Sequence, residues 1–405
     1  MAKRVNLLNR NEFICIMAML MSITALSVDS MIPALGQMTK DLNVTNANDI
    51  QLVISAIFFG ISFGVVIYGP FADSYGRKKA IYVGVSIFLL GTLIAIFSTS
   101  LNMMLLGRVI QGFGSASCRV VSLAIIRDKY EGREMAKIMS LIIMVFIMVP
   151  ALAPLIGQTI LLFAGWQAIF WFIFFFAVVG VTWMHFRQRE TLAYENVRSF
   201  SFKPILYGMI ETVKHPISLG YTFASGTMFG AFVSYLSSAQ QIMQVQYNLG
   251  ELFPIYFGIL AIAYGVSSYI NSKLVARYTV EQVCFFFLVL QSSLSLAFLI
   301  LSSFSGGNLT FELFYFYQMA NFFCLGCLFG NFSSMALQPF GHMAGLATSV
   351  ITSIQTLLAV LVGGTIARLY NGTVQPMIAG FFLCGAVTLL IFLKLRKLSL
   401  KQKSE

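Results

Sequence analysis

Three charged side chains stand inside long apolar runs, and each asks for a chemical reason: Asp29, Arg108 and Arg119. A charge within hydrocarbon costs several kcal/mol even on insertion-based scales, so it must face a partner or a water-filled cavity and marks an ion or substrate path. Arg119 follows Arg108 by eleven residues, and at about 100° per residue three helical turns leave an offset of only about 20°. Arg108, Gly112, Ser115 and Arg119 are therefore predicted on one face lining a central cavity, with Gln111 beside them as a further substrate contact. Asp29 lies 16 residues into its run, about 24 Å along a helix, and Arg108 about 9 Å from the outer end of its own. Both depths fall in the outer half of a core about 30 Å thick. A coupled pair is thus allowed, with two readings: Asp29 carries a transported proton, its ionisation answering to the occupancy of the cavity, or the two form a static pair at the outer mouth.

The elements that must position these groups follow from composition. Of 405 residues 58% are hydrophobic and 10% charged, against roughly 25% charged in a soluble domain. The 41 charged side chains cannot cover soluble surfaces, so the solvent is lipid. Twelve apolar runs begin near residues 13, 51, 80, 102, 138, 166, 216, 253, 282, 310, 346 and 376, each able to cross the bilayer as a helix. Counted by alternate loops, 22 of the 26 Lys and Arg fall on one side, Lys3 and Arg4 among them. That side stays in the cytoplasm, so both termini are expected there. The basic surplus is an orientation signal, which removes nucleic acid as a partner. The longest polar stretch predicts two six-helix bundles with pseudo-two-fold symmetry in an all-α membrane protein: 1–186, a cytoplasmic linker at 187–214, and 215–405. All six cysteines fall in apolar runs, and the three histidines have no second ligand in register, so no metal or cofactor is expected.

Several motifs carry more specific information. The loop Gly69-Pro-Phe-Ala-Asp73-Ser-Tyr-Gly76-Arg77-Lys78-Lys79 has a worn copy, GVSSYINSKLVAR, beginning at Gly265. In it Gly69 permits close helix approach, Gly76 a tight turn, and Asp73 offers a carboxylate to a helix N-terminus. Arg77 needs an acid, and Asp128 is the candidate; the alternative is that Arg77, Lys78 and Lys79 only set topology. The fourth run reads LxxRxxQG from Leu105 to Gly112, and the fifth contains Pro150, Pro154 and Gly157, a bend followed by a site for tight packing. Together these resemble the major facilitator superfamily, and the fifth run resembles the motif of its drug:proton antiporters. Asp29-Ser-Met-Ile-Pro33 and Pro339-Phe-Gly-His342 look like the bicyclomycin-resistance branch. The resemblance implies alternating access by rocking of two halves, with the 69–79 loop gating against the eleventh helix. Ser74 stands where the family usually has a basic residue, and Gln158 where it often has a second glycine.

With Asp29 ionised, the first-half cavity sums to +1, which suits an anionic or zwitterionic drug-like substrate better than a lipophilic cation. A carboxylate-bearing metabolite or a siderophore fits the same charge. The facing half is expected to supply Tyr235, Gln240, Gln241, Tyr315, Tyr317, Gln318 and Asn321, although residues of this kind more often serve packing than ligand binding. Partners are then lipid, protons and a small molecule, with a monomer in a bacterial inner membrane as the expected setting. A sensor that keeps the fold without transport is the contrasting class. An enzyme is not expected, because no HExxH and no GxSxG on a suitable turn occurs.

Overall fold

The computed structural model describes residues 8–193, 195, 197 and 201–404; Lys3, Arg4 and part of the 187–214 linker lie outside them. Among the described residues the chain is helical, with no strand. Each of the twelve apolar runs begins a helix within a turn or two of its expected start: α1 Arg10–Asp29, α3 Leu52–Tyr75, α4 Arg77–Ile96, α5 Leu101–Lys129, α6 Gly132–Phe163, α7 Trp166–Arg187, α9 Pro216–Ala239, α10 Phe253–Leu274, α11 Val280–Phe304, α12 Phe311–Leu337, α13 Ala344–Arg368 and α14 Gln375–Ser404. Two further helices are shorter, α2 at Leu35–Asp41 and α8 at Phe202–Lys214.

Among the described residues ten stretches are long and apolar enough to cross a membrane. The number falls short of twelve for two local reasons. Phe311–Arg368 forms one stretch of 58 residues that holds both α12 and α13, joined by a 3-10 turn at Gln338–Met343 that bends at Phe340. The other is α9, whose serines and threonines lower its hydropathy. In hydrocarbon these hydroxyls are satisfied by back-bonding to their own helix, as Thr222 donates to Ser218 O at 2.8 Å and Ser238 to Ser234 O at 2.5 Å.

Helix ends are locally encoded. Thr279 and Gln282 form a reciprocal capping box at the start of α11, and Ser100 caps α5. α5 packs along α3 and α4, α1 along α6, and α9 along α13, α14 and α12; α3 lies along α13, and α6 along α10. Large apolar side chains such as Phe163, Phe304 and Leu390 remain exposed on the outside, the surface a lipid-solvated protein presents.

Candidate functional site

At the end that carries the 69–79 loop, here the basic end, a charge cluster is built from four helices and the linker. Gly76 ends α3 and begins α4 with φ +101° and ψ 152°, a region open essentially to glycine alone. A Cβ there would also lie 2.9 Å from Glu190 Oε2. The Glu190 carboxylate accepts from the Arg77 and Lys78 backbone N–H groups at 2.9 Å each, filling the N-terminus of α4. Lys78 Nζ donates to His185 O at 3.0 Å. Arg77 is clamped between two acids: it pairs with Asp73 one turn earlier, and its Nε donates to Asp128 Oδ2 at 2.8 Å. The Arg77–Asp128 pair expected from the sequence is thus present.

Two contacts expected of this loop are not formed in this state among the described residues. Asp73 directs its carboxylate to Arg77 and makes no hydrogen bond to the N-terminus of α13; a cavity lies between them, and the Arg77 pairs tie α3, α4 and α5 together. Nor is Gly69 a close approach: a Cβ would meet nothing nearer than Ser349 Oγ at 3.7 Å.

The cavity, about 560 Å³, lies between α3 and α5 on one side and the 3-10 turn and start of α13 on the other. Arg119 and Arg127 line it with Asp73, Asp128, His342 and Ser349. Arg77 is neutralised by its two acids, whereas neither Arg119 nor Arg127 has an ion-pair or hydrogen-bond partner among the described residues. Arg119 is exposed to the cavity although it sits mid-helix. Its guanidinium lies 5.9 Å from the Phe146 ring centroid, within electrostatic reach of Tyr264 on α10. The wall therefore carries free cationic charge inside the protein.

Arg108 has the opposite surroundings. It is fully buried and each guanidinium nitrogen has a partner: Nη2 donates to Ser27 O at 2.8 Å, Nε to Val53 O at 3.3 Å and Nη1 to Gln111 Oε1 at 2.5 Å. Gln111 in turn donates to Thr92 Oγ1 at 2.9 Å, and the Phe170 ring faces the guanidinium at 5.6 Å. Ser27 belongs to the last turn of α1, which breaks at Ser30 before a 3-10 turn, Ile32–Ala34. Arg108 thus satisfies a carbonyl at a helix C-terminus buried in the bilayer region. Gly157 of α6 makes room for that break, since a Cβ would stand 1.7 Å from Ser30 O; α6 continues as a helix through both Pro150 and Pro154.

The Asp29–Arg108 pair that the sequence allows is not formed among the described residues. Asp29 ends α1 at 5% exposure and makes no hydrogen bond or ion pair among the described residues. The shared face of α5 is also only partly a cavity face. Ser115 and Gln111 are fully buried, and Gly112 packs against Ile57 O of α3, leaving Arg119 on the cavity. The reason is that α5 is flanked by both α3 and α4, so most of its circumference is covered.

Residues 15–364 match the Major Facilitator Superfamily. The chain belongs to this family. It is an integral, multi-pass membrane protein of a transporter family and not an enzyme. A bicyclomycin resistance protein homolog from Haemophilus influenzae is 27% identical over 96% of this chain and 98% of its own. A multidrug resistance protein MdtL from a Shewanella species is 24% identical over 92% of each chain. Among solved structures, the xylose transporter XylE from E. coli superposes with a TM-score of 0.71 at 11% identity, covering 94% of this chain and 97% of that one.

In this facilitator chain, the residues expected to face the substrate from the second half do not line the cavity. Tyr317, Gln318 and Asn321 are fully buried; on α11 Tyr317 OH contacts Ser295 Oγ at 3.2 Å and Asn321 Oδ1 accepts from Gln291 at 3.3 Å, whereas the Gln318 amide has no hydrogen-bond partner among the described residues. Tyr235 OH reaches Met243 Sδ at 3.4 Å, Tyr315 OH donates to Tyr256 O at 3.0 Å, and Gln240 donates to Gln244 Oε1 at 3.2 Å. Gln241 instead joins a polar seam at the opposite end. There Arg368 Nη2 pairs with Asp49 Oδ1 at 2.7 Å, Asn48 Nδ2 donates to Tyr370 O at 2.7 Å, and Gln51 donates to Gln241. This seam joins the start of α3 to the end of α13 and the π-helical turn at Gln240–Gln246. Sequence reasoning missed it, as it missed Glu190: 319 residues separate Asp49 from Arg368, and no local pattern points from one to the other.

Proposed function

We propose that this protein is a proton-coupled, alternating-access transporter that exports small drug-like molecules of anionic or zwitterionic character. In this reading twelve helices form two six-helix bundles, 1–186 and 215–405, joined by 187–214, with the basic end and both termini in the cytoplasm of a bacterial inner membrane. The observation that carries the substrate class is Arg119: a guanidinium on the wall of an internal cavity, with no acid of its own to neutralise it. An anionic group entering from the basic end meets that charge where protein has displaced most of the water and Coulomb attraction is least screened. Drug-resistance names among the relatives support export of such compounds. Asp29 supports the proton coupling, because a carboxyl buried without an acceptor of its charge can take up and release a proton as the cavity opens and closes. The polar seam at Asp49 and Arg368 supports a state closed at the outer end and open at the basic end.

The test is purified protein in liposomes with an internal pH indicator. Addition of a carboxylate-bearing drug should move protons, and its uncharged methyl ester should not. Movement of protons by the ester alone would overturn the anion reading; no flux with any ligand would overturn the transporter reading.

A further inference from the structure

The linker helix α8, Phe202–Lys214, is amphipathic in an unusual sense: its apolar side faces away from the protein. At about 100° per residue, Leu206, Met209, Ile210 and Val213 gather within an arc of about 100°, with Lys203, Lys214 and then Tyr207 following along one flank. Their exposures are 59%, 41%, 43% and 49%, with 66% for Tyr207, so nothing among the described residues covers this face. Gly208 and Thr212 stand on the opposite side and are buried. There Gly208 packs on Leu346 in the first turn of α13, and the Thr212 hydroxyl donates to Gly208 O at 2.7 Å. The charges are equally ordered. Lys203 and Lys214 are exposed on the flank next to Tyr207, while Glu211, the only acid of the helix, turns back to His342 at 3.3 Å.

Geometry puts this face at a bilayer boundary. Only His215, in an extended conformation, separates α8 from α9, so the chain turns sharply between them. α8 rests on the first turns of α9 and α13, at the basic end of both. A helix with an apolar arc bordered by lysines, and a tyrosine beyond them on the same flank, matches the acyl–headgroup region of a membrane, whose anionic lipids complement the lysines. We infer that α8 is a membrane-surface anchor, and that its Leu206, Ile210 and Val213 face docks into the leaflet at the basic end with Lys203 and Lys214 among anionic headgroups. Because the opposite face bears on Leu346 and His342, the anchor holds the rim of the cavity against the lipid surface. This inference requires only that the chain be membrane-embedded and does not depend on substrate or proton coupling.

The test uses full-length protein with Cys15, the exposed one of the six free cysteines, replaced by serine. A nitroxide is attached in turn at Ile210→Cys, Val213→Cys and Met209→Cys, with Glu131→Cys, exposed at the start of α6, as the water reference. In vesicles containing about a third phosphatidylglycerol, oxygen should collide with the α8 labels several-fold more often than a water-soluble nickel chelate does, with the reverse at Glu131. The immersion should weaken in purely zwitterionic vesicles and lose that lipid dependence in Lys203→Gln/Lys214→Gln. Nickel accessibility at the three α8 sites equal to that at Glu131 would overturn the anchor. Equal immersion in anionic and zwitterionic vesicles would overturn the role assigned to the lysines.

Discussion

Replacement of Arg119 by alanine separates a ligand-binding cation from a structural one, because its surroundings set two magnitudes independently. No protein hydrogen bond or ion pair is lost, so no buried partner is orphaned. What disappears from the folded state is one cation–π contact with Phe146, worth about 0.5–1 kcal/mol, and some of that returns because an unpaired charge no longer has to be held inside the protein. Thermal stability should therefore change by no more than about 1 kcal/mol. A lost hydrogen bond to a charged group is worth about 1.5–3 kcal/mol, which is roughly a tenfold to hundredfold loss of affinity for a carboxylate-bearing ligand. Arg119→Lys should recover only part of it, since the ammonium keeps the charge and gives up the planar fork that meets a carboxylate with two bonds. The assay is a melting curve and two binding isotherms in one detergent, for an anionic ligand and its methyl ester. Equal losses for both ligands accompanied by a large drop in melting temperature would refute the reasoning.

Arg108→Ala should behave in the opposite way, because it strands the Ser27 carbonyl and Gln111 in a sealed interior and costs about 3 kcal/mol or more; a normal yield of monodisperse protein would contradict this. Asp29→Asn should abolish accumulation driven by a pH gradient while leaving substrate counterflow intact, since the amide keeps the shape and cannot cycle a proton; unimpaired gradient-driven uptake in liposomes counts against the assignment. Asp49→Asn removes an ion pair whose arginine side chain is 53% exposed, so its effect is limited to about 1 kcal/mol, seen as up to a few-fold faster labelling of a cysteine placed behind the outer seam. Gly76→Ala should cost about 1–3 kcal/mol through its positive φ alone, and truncating Glu190 to alanine in the same variant should not restore stability fully.

The helices were legible because lipid selects composition locally: a run of apolar residues is visible without knowledge of its neighbours, and every run from residue 13 onward began a helix close to its expected place. The Arg77–Asp128 pair was legible for a related reason, as an arginine at one helix end calls for an acid and Asp128 stands at a helix end on the same basic side. Facing direction was not. In a soluble helix the apolar stripe marks the core, whereas here lipid and protein interior are both apolar, so a polar residue such as Tyr317, Gln318 or Asn321 announces that it is inside without saying against which helix. Contacts between distant loops, such as Asp49 with Arg368, leave no local trace at all. The two arginines of α5 make the distinction concrete. They share a helix and nearly a face, yet Arg108 meets the broken end of α1 and a glutamine, and Arg119 meets an aromatic ring and open space. The difference comes from the neighbours: α1 stops beside Arg108 and offers a carbonyl, and nothing stops beside Arg119. A satisfied arginine holds the fold together, while an unsatisfied one keeps the capacity to bind, and for that reason the functional assignment rests on the second.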